Sequence, residues 1–238
     1  MKIAFVGGGA MGESMVKCLL TKKVAAPQDM VVSDVNHLRR ELLSREYGVN
    51  TLADNRRAVE NVDLIILAVK PQNLPRIMGE LKGLALEQLV LSIVAGANLS
   101  SLCQGLNHPF VVRAMPNMPA QIGVGMTIWT ATAETVQKQK ELARVILGAL
   151  GKEIYVDDEK YLNMATALSG SGPAYVFLFI EALVDAGVKM GKHPADLRNM
   201  VTSPGGTTTE ALLQLEKGGF RSLLLEAVAA AYKKTERL

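Results

Sequence analysis

The sequence predicts an α/β chain that alternates strand and helix through roughly its first two-thirds and is helical thereafter. Three observations carry this expectation. An apolar strand runs into a glycine-rich turn and a helix at the very start, continuous apolar strands recur at 62–69 and 89–93, and strand patterns stop near residue 157.

The opening strand, Ile3 to Val6, enters Gly7-Gly8-Gly9-Ala10-Met11-Gly12, and the helix that leaves it places Met11, Met15 and Leu19 on one stripe with Val16 and Leu20 beside it. In this Gly-x-Gly-x-x-Gly spacing, Gly7 permits the tight turn, Gly9 admits a diphosphate to the backbone, and Gly12 lets helix and strand pack closely. The free N–H groups of the helix start, at Ala10 and Met11, attract the anion. Glycine also serves any loop that needs positive φ. Because both flanks that the motif demands are present, the turn reads as the dinucleotide loop of a Rossmann domain.

At 238 residues the chain can bury a core in one large or two modest domains, and 49% hydrophobic with 21% charged residues is ordinary for a globular protein. The net charge of +3 is spread among acids, which excludes a basic stripe for nucleic acid. Apolar runs such as Leu64 to Val69 are far shorter than the ~20 residues of a membrane span. With the first strand starting at residue 2, no signal peptide is expected. Two cysteines, Cys18 in the first helix and Cys103 near a later turn, form no CxxC motif, so a reduced cytoplasmic setting is expected. His37, His108 and His193 lie far apart without metal-ligand spacing; each is expected on the surface or in a loop, and no metal is expected.

Met30 to Asp34 reads as the second strand, ending about twenty residues past the last glycine of the turn, where a Rossmann domain meets the adenosine ribose. Asp34 would accept from a 2′-hydroxyl and favour NAD, whereas Ser33, Asn36, Arg39 and Arg40 could embrace a 2′-phosphate and favour NADP. Alternatively, Asp34 and Asn36 simply cap the helix that begins near His37. Val62 to Val69 is a strand of the kind buried on both faces of a parallel sheet, and Lys70-Pro71 ends it. Leu89 to Ile93 follows, then Ala95-Gly96. Ala68, Val69, Lys70, Ala95 and Gly96 stand at strand ends and should lie along the cofactor, unless they only make turns.

Pro109 to Pro119 holds a further strand and a proline-bounded loop, and Gly125 to Trp129 another strand. Leu142, Val145, Ile146, Ala149 and Leu150 then recur at helical spacing, with Gly151 expected to stop the helix before a short strand at Ile154 to Val156. Asp157-Asp158-Glu159 reads as the acidic start of a helix. The change to helix alone places a domain boundary there, giving a dinucleotide-binding domain at 1–157 and a helical domain at 158–238.

The helical part opens on Leu168-Ser169-Gly170-Ser171-Gly172-Pro173-Ala174-Tyr175. Ser171 lacks the Gly-x-Ser-x-Gly elbow and a spaced His/Asp partner, so it suits hydrogen bonding better than nucleophilic attack. Pro173 fits a first helical turn, and Ala174 to Ile180 is apolar on every side. A domain this small needs a second subunit to surround such a helix. Ser203-Pro204-Gly205-Gly206-Thr207-Thr208 precedes a helix carrying Leu212, Leu213 and Leu215 and closed by Gly218-Gly219. Exposed N–H groups and hydroxyls there would hold a small carboxylate, a role compatible with Thr207 as a plain N-cap.

Taken together, these motifs resemble the pyrroline-5-carboxylate reductases nearly end to end. The resemblance rests on the FVGGGAMG opening, Asn55 before the expected third strand, LAVKPQ at 67 to 72, SIVAG at 92 to 96, RAMPNMPA at 113 to 120, LSGSGPAY at 168 to 175 and VTSPGGTT at 201 to 208. It implies an N-terminal Rossmann domain and an all-α C-terminal dimerisation domain that interlocks with its partner, with homo-oligomers built from such dimers. It further implies reduction of 1-pyrroline-5-carboxylate to L-proline, the last step of proline biosynthesis. Cofactor contacts carry over to Gly7, Gly9, Gly12, Asn55, Ala68, Val69 and Lys70, and substrate contacts to Gly206, Thr207 and Thr208, with Ser171 and Gly205 beside them. Thr208 and Lys70 are the catalytic candidates. The family commonly prefers NADPH, while Asp34 leaves NADH open.

One departure is plain. In the family, one to two helices usually separate the counterparts of Gly187-Val188-Lys189-Met190-Gly191 and His193-Pro194-Ala195-Asp196-Leu197, and here the two join at Gly191-Lys192. The chemistry implied is hydride transfer to the imine carbon of a cyclic imino acid whose nitrogen is protonated from water, which requires no strong protein acid. Two alternatives stand beside it: reduction of another imino or keto acid on the same scaffold, and a nucleotide-binding homologue that has lost catalysis with the missing segment.

Overall fold

The computed structural model describes residues 1–170 and 172–189, with scattered positions from 191 to 226. It falls into two compact units, Met1–Ser171 and Gly172–Leu238.

The first unit is an eight-stranded sheet in the order β3-β2-β1-β4-β5-β6-β7-β8. Its strands are β1 (Ile3–Val6), β2 (Met30–Ser33), β3 (Asn50–Leu52), β4 (Leu64–Leu67), β5 (Leu89–Ser92), β6 (Val111–Met115), β7 (Gly125–Ala131) and β8 (Gly151–Tyr155). β1 to β6 run parallel in the doubly wound 3-2-1-4-5-6 order, β7 turns antiparallel to β6, and β8 is parallel to β7. The helices of this unit are α1 (Ala10–Thr21), α2 (His37–Tyr47), α3 (Asn55–Ala58), α4 (Leu74–Glu80), α5 (Leu99–Leu106), α6 (Gln137–Gly148) and α7 (Lys160–Ala165).

Continuous apolar strands make sense because helices cover both faces. Ile3, Phe5, Leu64 and Ile66 point into a core shared with Met15, Val16 and Leu19 of α1, Leu43 of α2 and Ile146 of α6. Ala4, Val6, Ile65 and Leu67 point into the opposite core, with Leu74 and Ile77 of α4 and Leu102 and Leu106 of α5. Phe5, Ile65 and Leu67 are wholly buried, and each such side chain contributes about 1.5–3 kcal/mol relative to exposure.

Two expectations are corrected. The short edge strand β3 was not foreseen, because three residues carry no periodicity. The strand expected third is therefore β4, and Asn55 opens α3 after β3. Gly151 does not stop the preceding helix, which ends at Gly148; it opens β8 at φ +138°, where a Cβ would fall 2.2 Å from the Gly125 carbonyl oxygen. Cys103 lies in the last turn of α5, near the turn at Asn107, whose N–H its carbonyl accepts. His108 lies in the loop between α5 and β6, one of the two expected settings, and there it is buried at 2% exposure; its Nε2 lies 2.8 Å from the Gln88 carbonyl oxygen and its ring stands edge-on to Phe110. Burial pushes its pKa below the usual histidine value against the opposing pull of that carbonyl.

Glu159, expected to serve only as helix-starting charge, does more. Its Oε1 accepts from Arg113 Nη1 at 2.7 Å and from the Leu99 N–H at 2.8 Å, while Arg113 Nη2 donates to Asn163 Oδ1 at 2.9 Å. The buried Arg113 thereby ties β6, the start of α5 and α7 together. A π-helical turn, Thr166–Gly170, follows α7.

The described part of the second unit is chiefly α8 (Gly172–Lys189), with Pro173 in its first turn as expected. Val176, Phe177, Leu178 and Ile180 are exposed on it. Among the described residues no helix is long and apolar enough to cross a membrane.

Candidate functional site

The loop between β1 and α1 shows why glycine stands at each position. Gly7 has φ +106°, and a Cβ on it would lie 2.5 Å from the Ala68 carbonyl oxygen. On Gly12 a Cβ would lie 2.4 Å from the Gly7 carbonyl oxygen, so helix and strand meet there. Gly9 differs: nothing stands within 4 Å of its would-be Cβ, leaving an open approach to the backbone. The first bond of α1 runs from the Glu13 N–H to the Gly9 carbonyl, and no side chain caps the helix. Its earlier N–H groups are thus available to an anion.

The end of β2 is knitted to this loop. Asp34 Oδ2 accepts the Gly8 N–H and Oδ1 the Asn36 N–H, both at 2.8 Å. Asn36 caps α2, its Oδ1 accepting the Leu38 N–H at 2.9 Å, so the capping alternative holds for Asn36. Arg39 donates to the Gly8 carbonyl through Nε and Nη2, and its Nη2 also reaches Glu13 Oε2 at 2.6 Å. Burial alone would raise the Glu13 carboxyl, but hydrogen bonds from Arg39 and Tyr47 outweigh it and hold the group below its ordinary value. Arg40 Nη1 donates to the Asp34 carbonyl at 2.7 Å. Ser33 is fully buried, its hydroxyl donating to Asn55 Oδ1 at 2.7 Å. All four residues expected to embrace a 2′-phosphate therefore hold neighbouring protein groups.

Above this loop lies a cavity of about 250 Å³. Gly7, Gly9, Ser33, Asp34, Asn55, Ala68, Val69 and Lys70 line it, so eight expected cofactor residues converge on one space. Ala10, Met11 and Gly12 begin α1 beside it, whereas Ala95 and Gly96 lie past the end of β5 and do not line it. Val35, Asn73, Arg76 and Ile77 complete the wall and were missed. Their one sequence signal is the proline pair Pro71 and Pro75, which sets a 3-10 turn against α4 at the carboxyl end of β4. A larger cavity, about 670 Å³, opens at the amino ends of the strands around Asn61, Asp63 and Gln88. Ligands of doubly wound sheets bind beyond the carboxyl ends of the strands, so the smaller cavity is the candidate site.

This geometry fits the adenosine and diphosphate of a dinucleotide. Gly9 leaves the path clear, α1 offers N–H groups, and Val35 and Ile77 are apolar walls for a base. Cys18 is no nucleophile here: burial pushes its thiol pKa up, and Sγ points to the Ala120 carbonyl at 3.3 Å. Among the described residues, no three His, Cys, Asp or Glu side chains gather as metal ligands. Ser171, Gly205, Gly206, Thr207 and Thr208 lie outside the described residues.

Residues 2–96 match a family model described as NADP oxidoreductase coenzyme F420-dependent. A pyrroline-5-carboxylate reductase from Synechocystis sp. is 38% identical over the whole of this chain and 98% of its own length. The chain belongs to the pyrroline-5-carboxylate reductase family. An Arabidopsis thaliana reductase of the same name is 34% identical over 100% of this chain and 95% of its own. Among solved structures, a pyrroline-5-carboxylate reductase from Coxiella burnetii superposes with a TM-score of 0.72 at 33% identity, covering 99% of this chain and 97% of that one. The Plasmodium falciparum pyrroline carboxylate reductase, solved with NADP bound, gives 0.71 at 27% identity over 99% and 97%.

The model for pyrroline-5-carboxylate reductase dimerisation matches in two pieces, 159–192 and 190–238. The break coincides with the direct join at Gly191-Lys192. The Synechocystis alignment spans 263 positions against 238 residues here, so at least 25 of its positions, 263 less 238, fall on no residue of this chain.

Proposed function

We propose that this chain reduces 1-pyrroline-5-carboxylate to L-proline with NADPH, NADH serving as an alternative donor. The observation that carries the reading is near-complete coverage of reductases of that name at 31–38% identity, on a chain in which eight of the expected cofactor residues line one cavity. The NADP in the Plasmodium falciparum neighbour supports the phosphorylated cofactor.

A bound nicotinamide supplies a hydride from C4 to the imine carbon, and the protonated ring nitrogen becomes the amine of proline. This chain's residues bind and orient. The first turn of α1 holds the diphosphate, Asp34 and Asn55 stand at the ribose, and Lys70 stands beside Ala68 where the chain leaves β4. Thr208 hydrogen-bonds the ring nitrogen, and the Gly205-Gly206-Thr207 backbone with Ser171 fixes the carboxylate. These last roles rest on motif matching. Holding the imine carbon near C4 is the main source of acceleration, because the ring nitrogen takes its proton from water.

The protein acts as a homodimer of interlocked helical domains, from a boundary near residue 157, in the cytoplasm. The exposed apolar side chains of α8 and the match to a dimerisation model support this assembly. The test is steady-state turnover of the purified chain with NADPH, comparing 1-pyrroline-5-carboxylate with open-chain keto acids plus ammonia. We expect L-proline in one-to-one ratio with NADPH consumed. Preference for a keto acid would move the assignment to another imino-acid reductase, and dinucleotide binding without turnover would make the chain a binding homologue.

A further inference from the structure

The four residues that the sequence offers for a 2′-phosphate all hold neighbouring protein groups, yet the cavity has another cation at its mouth. Arg76, on α4, lines the same space as Ser33, Asp34 and Asn55. Its Nη1 pairs with Glu80 Oε1 one turn further along α4. The other carboxylate oxygen of Glu80 accepts from Asn55 Nδ2 at 2.7 Å, and Asn55 Oδ1 accepts the Ser33 hydroxyl at 2.7 Å. One hydrogen-bonded chain therefore runs from the end of β2, where the ribose 2′-carbon sits in a Rossmann domain, to the Arg76 guanidinium.

We propose that Arg76 recognises the 2′-phosphate of a phosphorylated nicotinamide dinucleotide, and that Glu80 is the positioning residue that holds it at the β2 end of the cavity. This rests on the nicotinamide-cofactor reading above. The Arg76 side chain is 56% exposed, and beyond Glu80 its N–H groups have no partner among the described residues. A guanidinium can grip a carboxylate along one edge and a phosphate along the other. Arg39 and Arg40 are bound to the Gly8 and Asp34 carbonyls. Lys70, three residues past the end of β4, lines the same cavity, and no hydrogen bond among the described residues joins it to Ser33 or Asn55. Asp34 is likewise occupied, with one N–H on each oxygen. Arg76 is the cavity cation that the Ser33, Asn55 and Glu80 side chains tie to the end of β2.

The test is calorimetric titration of the full chain with NADPH and with NADH, which needs no turnover. Arg76→Ala should raise the Kd for NADPH by about tenfold or more and leave that for NADH within about twofold. Arg76→Lys should restore part of the NADPH affinity. Glu80→Gln should lower the NADPH-to-NADH preference while both still bind, because it releases Arg76 but keeps an acceptor near Asn55. An equal loss for both cofactors in Arg76→Ala would place Arg76 against the adenine and overturn the proposal, as would no loss at all. Failure of the unsubstituted chain to bind either dinucleotide would overturn both this inference and the cofactor reading. Selective NADPH loss in a chain that never forms proline would sink the reductase assignment and leave Arg76 standing.

Discussion

The Gly8 N–H donates to Asp34 Oδ2 across 2.8 Å, so the acid at the end of β2 is a fastener of the glycine loop as well as a candidate ribose ligand. Removing the charge and removing the acceptor should then differ. Asp34→Asn keeps an acceptor and removes the repulsion of a 2′-phosphate, and should raise the ratio of NADPH to NADH affinity. Asp34→Ala leaves the loop unfastened and should weaken both. Fluorescence titration with each cofactor separates the cases, and equal behaviour of the two variants would show that the fastening is irrelevant to binding.

Gly9 and Gly12 should fail in opposite ways. Gly9→Val meets open space and should keep the melting temperature while abolishing dinucleotide binding. A Cβ on Gly12 would press on the Gly7 carbonyl, so Gly12→Val should lower stability by about 1–3 kcal/mol, as overpacking does. Thermal melts with and without NADPH read both effects. Undiminished binding by Gly9→Val would remove the diphosphate from this loop.

The α/β class of the first unit and the dinucleotide loop were legible because their causes are local. Continuous apolar strands, a glycine spacing and a strand end need only neighbours in sequence. The network of Arg113 and Glu159 was not legible, because its partners are 46 residues apart and each looks like an ordinary surface charge. Arg76 was missed for the same reason: an arginine with Glu four residues later reads as a solvated helix pair, and only the fold brings Glu80 against Asn55. The burial of His108 was not legible, because one histidine in a loop between a helix and a strand carries no periodicity to announce it.

Arg113→Met should therefore destabilise the first unit substantially. It leaves Glu159 facing Leu99 without its cation, and removing one partner of a buried pair costs about 3–5 kcal/mol, toward the lower end here because Glu159 is 29% exposed. Glu159→Gln should cost less, since its amide oxygen still accepts the Leu99 N–H. Chemical denaturation of both variants checks the order, and a milder Arg113→Met would mean the pair is loosely held.

Acidification should act through His108. Its folded pKa lies below the unfolded value near ~6.5, so the unfolded chain binds the proton first. Stability from this group is complete above about pH 6.5 and is lost as pH falls through that value toward the folded pKa. His108→Gln should flatten the fall in melting temperature below pH 6.5 relative to the unsubstituted chain. An unchanged slope would show that carboxylates alone set the acid limit.

The most direct test of the whole account is isotopic. The purified chain is supplied with 1-pyrroline-5-carboxylate and NADPH deuterated at both C4 positions, and the product is read by mass spectrometry. L-proline should carry one deuterium at the former imine carbon, one per NADPH oxidised. Unlabelled proline, or none while the dinucleotide binds, would contradict it.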